Sequence, residues 1–317
     1  MLNSAEDMNG ECTMAANSEA SIDNSPYNTP ANADAYYQEL IVRNQHFIST
    51  RTQDKLRSLK VFIGGCGTGG GACAEPLARL GVENFMLADS GAYELSNLNR
   101  QCAYVSNIGE NKSTHVLKIL KGINPFIQAK AFPEGVTPDN ARELVDWADL
   151  IVDAVDVTSQ ESIDMKIAIH EYAKLFKKPV FSPLDPGFCN CGIGFDYRKE
   201  KMQVLDGRLA SAKSARHPFK AWFNILPPYM IPAHCMPLVI ELLEGKTTSG
   251  SQITISSNLL SAIMASCVVR FADCGVVVRK WSINLDYLAM PFKQRVSLRL
   301  QRPFFLRKIN RLLSALP

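Results

Sequence analysis

The chain has 317 residues, 46% of them hydrophobic, and a formal net charge of +3. That length allows one large domain or two small ones around a sizeable core, and so mild a charge gives no electrostatic ground for nucleic-acid binding. Its nine cysteines are scattered with no CxxC pair, so a disulfide framework is not expected in a core-rich chain, and a reducing cytoplasm is the expected location.

Residues 1–35 are rich in Asn, Ser, Ala, Asp and Glu and poor in large apolar side chains. Such a segment buries too little surface to offset its ordering entropy and reads as a disordered tail. It has no apolar stretch of the kind a secretory signal needs. Helical stretches follow at 36–43 and 52–58. Strands and helices then alternate. The apolar run Lys60–Gly64 reads as a strand, 70–80 as a helix opened by glycines, and Asn84–Ala88 as a strand ending at Asp89. Val116, Ile119, Leu120 and Ile123 give 112–123 a helical spacing. Strands are expected at 128–132, 150–154 and 179–182, with helices at 138–147 and 162–176. This alternation predicts an α/β fold, a Rossmann-like doubly wound and mostly parallel sheet.

Beyond Gly192 the pattern loosens into a mixed region over 198–255. It includes the aromatic and proline-rich stretch His217–His234, read either as the lining of a substrate groove or as a packed hydrophobic loop. A helix is expected over 256–271, a late strand over 276–285, and a basic segment over 296–317. The apolar run Leu259–Val269 is shorter than the ~18 residues of a membrane span and reads as a core helix. Residues 36–295 are taken as the folded body. Cys66, Cys73 and Cys267 lie in apolar or glycine-rich segments and read as small hydrophobes.

The segment Gly65-Cys66-Gly67-Thr68-Gly69-Gly70 fits GxGxxG between a strand and a helix. Its glycines let the backbone turn tightly and approach phosphates, and a helix N-terminus offers free N–H groups and partial positive charge. Asp89 ends the next strand, where an acid can accept hydrogen bonds from a ribose. Alone, this says nucleotide and leaves ATP and NAD both open.

Three further motifs follow: Ser96-Asn97-Leu98-Asn99-Arg100-Gln101, Gly109-Glu110-Asn111-Lys112 and Val152-Asp153-Ala154-Val155-Asp156. The first resembles the SNLxRQ signature of the ThiF/MoeB/HesA family of E1-like adenylyltransferases. The second resembles its GxxK, and the third its strand-end DxxD. The resemblance spans roughly 37–291, and the motifs stand in the family's order. It implies an E1-like fold with an additional C-terminal strand and helix portion. It also implies an enzyme that uses ATP and Mg²⁺ to turn a carboxylate into an acyl adenylate, releasing pyrophosphate. The carboxylate would belong to a small acid, a peptide or the C-terminus of a ubiquitin-like β-grasp carrier protein. By resemblance Arg100 and Lys112 contact phosphates, Asp156 holds Mg²⁺, Asp89 holds the ribose and Asn97 positions the phosphates, with Gly65, Gly67 and Gly70 forming the loop. Arg43 resembles the family's arginine finger, reaching into the partner's site of a homodimer. The chemistry wants these groups: carboxylate and triphosphate are both anionic, so cations and a hard metal ion must offset the charge that builds up.

The chain also departs from the family. Gly91 stands where many members have a second acid. The paired CxxC zinc site is absent, so no zinc is expected. No cysteine stands in a clear nucleophile position; Cys189 and Cys191 are the candidates, against a plain reading as small core residues. Two rivals remain at this point. A NAD-dependent Rossmann oxidoreductase explains the glycine loop and Asp89 but gives no reason for Arg100, Lys112 and Asp156. A non-catalytic E1-like partner-binding protein would have no need to keep those charged residues.

Overall fold

The computed structural model describes residues 32–247 and 251–316; most of the tail expected over 1–35 lies outside them. Helices α1 (Ala33–Ile41) and α2 (Thr50–Ser58) lead into strand β1 (Lys60–Gly64), α3 (Gly70–Arg79) and β2 (Asn84–Ala88). Then come α4 (Lys112–Ile123), β3 (Gln128–Phe132), α5 (Ala141–Trp147), β4 (Leu150–Asp153), α6 (Gln160–Leu175) and β5 (Pro179–Leu184). The chain continues through β6 (Cys189–Asp196), α7 (Leu209–Ser214), α8 (Pro218–Ile225), α9 (Met236–Leu243) and α10 (Thr254–Cys274). It closes with β7 (Lys280–Asn284), the short α11 (Asp286–Ala289) and α12 (Phe292–Ala315).

The seven strands form one sheet in the order β3-β2-β1-β4-β5-β6-β7. β1 to β5 run parallel, and β6 is antiparallel to both its neighbours, β5 and β7. Strand order reverses between β1 and β4, which opens a crevice at the carboxyl ends of the parallel strands, where such sheets bind ligands. The alternation of side chains in β1 explains the layers. Val61 and Ile63 enter a core with α2, α3, α4 and α10. Phe62 enters a second core with α5 to α8 on the other face.

Three elements differ from the sequence reading in instructive ways. β6 was not expected, because Gly192 and Gly194 are poor strand residues. Both are needed for close approach: a Cβ on Gly192 would meet the Trp281 ring at 2.2 Å, and one on Gly194 the Val278 carbonyl at 2.2 Å. α10 has 21 residues, long and apolar enough by composition to cross a bilayer. Here it lies in the first core, burying Leu260, Met264 and Val268. The basic C-terminal segment is part of α12, which starts at Phe292 and packs Ile309 against α9 in a third, smaller core.

Candidate functional site

A cavity of about 610 Å³ lies at the reversal point. Its first wall is built by the ends of β1, β2 and β4. After β1 the chain enters the glycine loop at Gly65, whose φ is +86° and whose N–H donates to the Ala88 carbonyl at 2.7 Å. A Cβ on Gly65 would strike the Ala154 carbonyl at 2.2 Å, and one on Gly70 the Gly65 carbonyl at 1.9 Å. Those two glycines are demanded by the protein itself. Gly67 is different: a Cβ there would meet only Gln101, at an ordinary 3.6 Å. Gly67 lines the cavity, so its missing side chain leaves backbone open to a ligand. Gly70 stays behind the wall, buried at the start of α3.

Asp89 ties the loop down. One carboxylate oxygen accepts the Cys66 N–H at 2.6 Å and the other the Gly91 N–H at 2.7 Å. Burial raises its pKa, and these bonds together with the Lys112 charge oppose the rise. The Gly91 departure therefore leaves the acid anchored, and Gly91 in turn accepts the Lys112 N–H at 2.9 Å.

Arg100 is held by its neighbours. Its Nε donates to Thr68 Oγ1 at 2.9 Å, and its Nη1 to the Ser96 carbonyl at 3.0 Å and Asn99 Oδ1 at 2.8 Å. Nη2 has no partner among the described residues. Partial burial lowers the guanidinium pKa, with Asp185 acting against that. Asn97 is buried and pinned by the Glu94 N–H. Lys112 opens α4, and its ammonium makes no hydrogen bond or ion pair among the described residues. A cation at that end of a helix is opposed by the helix dipole, so a bound anion would relieve it.

Asp153 and Asp156, three residues apart, have opposite surroundings. Asp153 is fully buried: Oδ2 accepts from Lys166 Nζ at 2.8 Å, lies 3.1 Å from His170 Nε2, and accepts from Ser182 Oγ at 3.2 Å. Burial alone would raise its pKa, but Lys166 and His170 hold the carboxyl below the ordinary value. Burial lowers the His170 pKa, against the pull of Asp153. Lys166 also donates to the Asp153 and Val155 carbonyls, which fixes the loop bearing Asp156. Asp156 is exposed to the cavity, its carboxylate accepting, among the described residues, from the Val157 N–H and the Thr158 hydroxyl.

The second wall was not visible as a motif. Asp185, Trp222, Ile225, Leu226 and Gln252 line it. Trp222 to Leu226 come from the aromatic stretch, which divides between the two roles read for it: Phe223 and Ile231 pack in the third core instead. Asp185 is 7% exposed and forms no ion pair among the described residues; Gln252 Nε2 approaches both its oxygens at 3.4 Å. Burial pushes its pKa up to about 6. The signal for Asp185 was weak: a lone acid between prolines just past a strand.

The cavity thus gathers Gly65, Gly67, Asp89, Asn97, Arg100, Lys112 and Asp156. Arg43 is outside it, exposed in the turn after α1. Cys189 and Cys191 are buried in β6 and are not among the lining residues. Burial holds the Cys191 thiol protonated. Cys189 lies against Cys235 and His234: the hydrogen bond to Cys235 and burial raise the Cys189 pKa. The same bond, with His234 Nε2 at 3.0 Å, lowers Cys235 to about 6.

Residues 41–183 match the ThiF family model. Over that segment the chain is similar to the ThiF family. The segment carries all three charged motifs and runs from the end of α1 into β5. A relative in Lodderomyces elongisporus, the adenylyltransferase and sulfurtransferase UBA4, is 33% identical over 122 residues, 38% of this chain and 26% of that protein. The sulfur carrier protein adenylyltransferase of Thermus thermophilus is 28% identical over 153 residues, 48% of this chain and 54% of that protein. The matches therefore span between a quarter and about half of these relatives. Among solved structures, PaaA superposes with a TM-score of 0.55 at 20% identity, covering 83% of this chain and 74% of that one. The E. coli tRNA N6-threonylcarbamoyladenosine dehydratase TcdA, solved with ATP, gives 0.52 at 18% identity, covering 75% and 95%. The fold is the one these structures share, and the segment similar to the ThiF family contributes the first wall of the cleft.

Proposed function

We propose that this protein is an ATP-dependent adenylyltransferase that activates a carboxylate as its acyl adenylate. The observation that carries the reading is the first wall: an anchored guanidinium, an unpaired ammonium and an exposed carboxylate surround a loop whose Gly67 backbone is open. In the proposed reaction a substrate carboxylate oxygen attacks the α-phosphorus of ATP, and the bond to the bridging oxygen breaks as pyrophosphate leaves. Arg100, presenting its free Nη2, and Lys112 offset the charge on the phosphates. Asp89 holds the glycine loop and faces the ribose. Asn97 fixes the turn that carries Arg100. The structural neighbour TcdA, solved in complex with ATP, supports a nucleotide as the ligand.

The residues present fit Mg²⁺. Asp156 offers hard carboxylate oxygens with spare lone pairs at the cavity. That suits a metal held by one carboxylate, substrate phosphates and water. When bound, the ion would neutralise the leaving pyrophosphate. Lys166, through the Val155 carbonyl, keeps the Asp156 loop in place.

The substrate belongs to the second wall, an apolar face of Trp222, Ile225 and Leu226 with the carboxylate of Asp185 in it. A peptide or carrier-protein C-terminus fits the description of the sulfur-carrier relative. A homodimer in which Arg43 serves the partner's cleft, in a cytoplasmic protein, completes the reading. The test is Mg²⁺-dependent exchange of label between pyrophosphate and ATP across carrier proteins, peptides and small acids. Exchange that needs one class of acid is the expected result; absence of ATP binding sinks the proposal and favours NAD or a non-catalytic role.

A further inference from the structure

Helix α12 has two apolar faces, and only one is covered. Phe305, Leu306, Ile309, Leu312 and Leu313 pack into the third core against Phe223, Met236 and Ile240. At 3.6 residues per turn, Phe292, Val296, Leu300 and Phe304 fall in a row on the opposite side. They are exposed by 77%, 37%, 75% and 65%. Four large apolar side chains at a regular four-residue step are a continuous stripe, unlike the scattered surface hydrophobics that need no explanation.

Charge decides what covers the stripe. The helix sequence FKQRVSLRLQRPFFLRKINRLLSA holds seven Lys and Arg and no acid. That exceeds the net +3 of the whole chain, so the positive charge of the molecule is concentrated on this helix. Arg295, Arg302 and Lys308 bond back to the body, to the Met290 and Tyr229 carbonyls and to Glu244. Lys293, Arg299, Arg307 and Arg311 have no partner among the described residues, and by helical spacing they flank or continue the exposed stripe. A second copy of such a helix would be repelled. None of the stripe's residues lines either the cleft or the smaller cavity around His46 and Asp273. A protein partner usually meets a helix in a groove, whereas a bilayer needs no complementary pocket.

We infer that the outer face of α12 docks the protein on an anionic membrane surface, with Phe292, Leu300 and Phe304 entering the headgroup and acyl boundary and Lys293, Arg299 and Arg307 meeting lipid phosphates. Aromatic and leucine side chains beside Lys and Arg are the pattern of helices that lie in the interfacial plane. The inference does not depend on the adenylation reading.

Sedimentation of the full chain with vesicles tests it, comparing phosphatidylglycerol mixed with phosphatidylcholine against phosphatidylcholine alone. The expected result is partition onto the anionic vesicles only, weakening as salt rises. F292S/L300S/F304S should lower the partition coefficient at least tenfold. Arg299→Glu and Arg307→Glu should each lower it about fivefold or more. These side chains are exposed, so melting temperature should hold in all three variants, and the charge reversals give a second reading if the triple variant folds poorly. No partition onto anionic vesicles overturns the inference, as does partition that the variants leave unchanged. So does a dimer by light scattering that F292S/L300S/F304S dissociates, which would give the stripe to a second copy.

Discussion

The two walls of the cleft are built on different plans. In the first, polar groups are held before any ligand arrives: Asp89 grips the loop, Thr68 and Ser96 grip Arg100, and Lys166 with His170 grips Asp153 beneath the Asp156 loop. In the second, Trp222, Ile225 and Leu226 line the cavity with Asp185, a buried carboxylate met by its own backbone N–H and, at 3.4 Å, by Gln252 Nε2. Prepositioned donors suit the part of a reaction that does not vary, here the proposed ATP chemistry. An under-bonded acid in an apolar wall suits a partner that completes its bonding, here the proposed substrate.

Substitutions can sharpen or break this contrast. The largest effect is expected beneath the first wall. Asp153→Ala leaves Lys166 charged and buried without its carboxylate and should cost about 3–5 kcal/mol of folding stability. Chemical denaturation measures it, and a loss below about 1 kcal/mol would mean that the triad does not hold the wall. Arg100→Ala comes next: pyrophosphate exchange should fall about 10²–10³-fold with stability little changed. An unaltered exchange rate would remove Arg100 from the phosphate site.

In the second wall the sign reverses. The Asp185 pKa is raised from 3.8 to about 6. Its stability contribution is therefore fully present below about pH 4 and is lost as pH rises through about 6. Asp185→Asn should gain up to about 3 kcal/mol at pH 7, and the gain should vanish near pH 4. Thermal melts across that range check it, and a destabilised variant at pH 7 would make Asp185 a structural group instead. The smallest effect is at the loop. Thr68→Val removes the acceptor for Arg100 Nε and Gln101 Nε2, and the KM for ATP should rise about five- to tenfold. If only stability moves, Thr68 serves the fold alone.

The first wall was legible in the sequence because its parts are local. A strand, a glycine turn and a helix lie within twenty residues; of the charged motifs, GENK opens α4 and VDAVD ends β4, while SNLNRQ lies in the loop between β2 and α4. The division of labour inside VDAVD came only from the resemblance, which gave Mg²⁺ to Asp156. The burial of Lys166 and His170, one helix later, separates Asp153 as a structural acid from Asp156 at the cavity. The second wall comes from segments tens of residues apart, joined by β6, whose glycines speak against a strand until Trp281 and Val278 are seen against them. The pairing of Cys189 with His234 and Cys235 was hidden for the same reason, since it forms only where β6 meets the loop before α9. The C-terminal segment could be read as basic and packed on the body, but not that four exposed apolar side chains line up opposite its covered face.

The central claim, that a carboxylate oxygen becomes bonded to the α-phosphorus of ATP, is tested most directly with an acid that supports exchange, labelled with heavy oxygen in its carboxylate. The enzyme is allowed to turn over with its acceptor, and the AMP released is weighed by mass spectrometry. Transfer of label from the acid to the AMP phosphate is the predicted result. Unlabelled AMP, formed while the acid is consumed, would contradict an acyl adenylate and with it the proposed reaction.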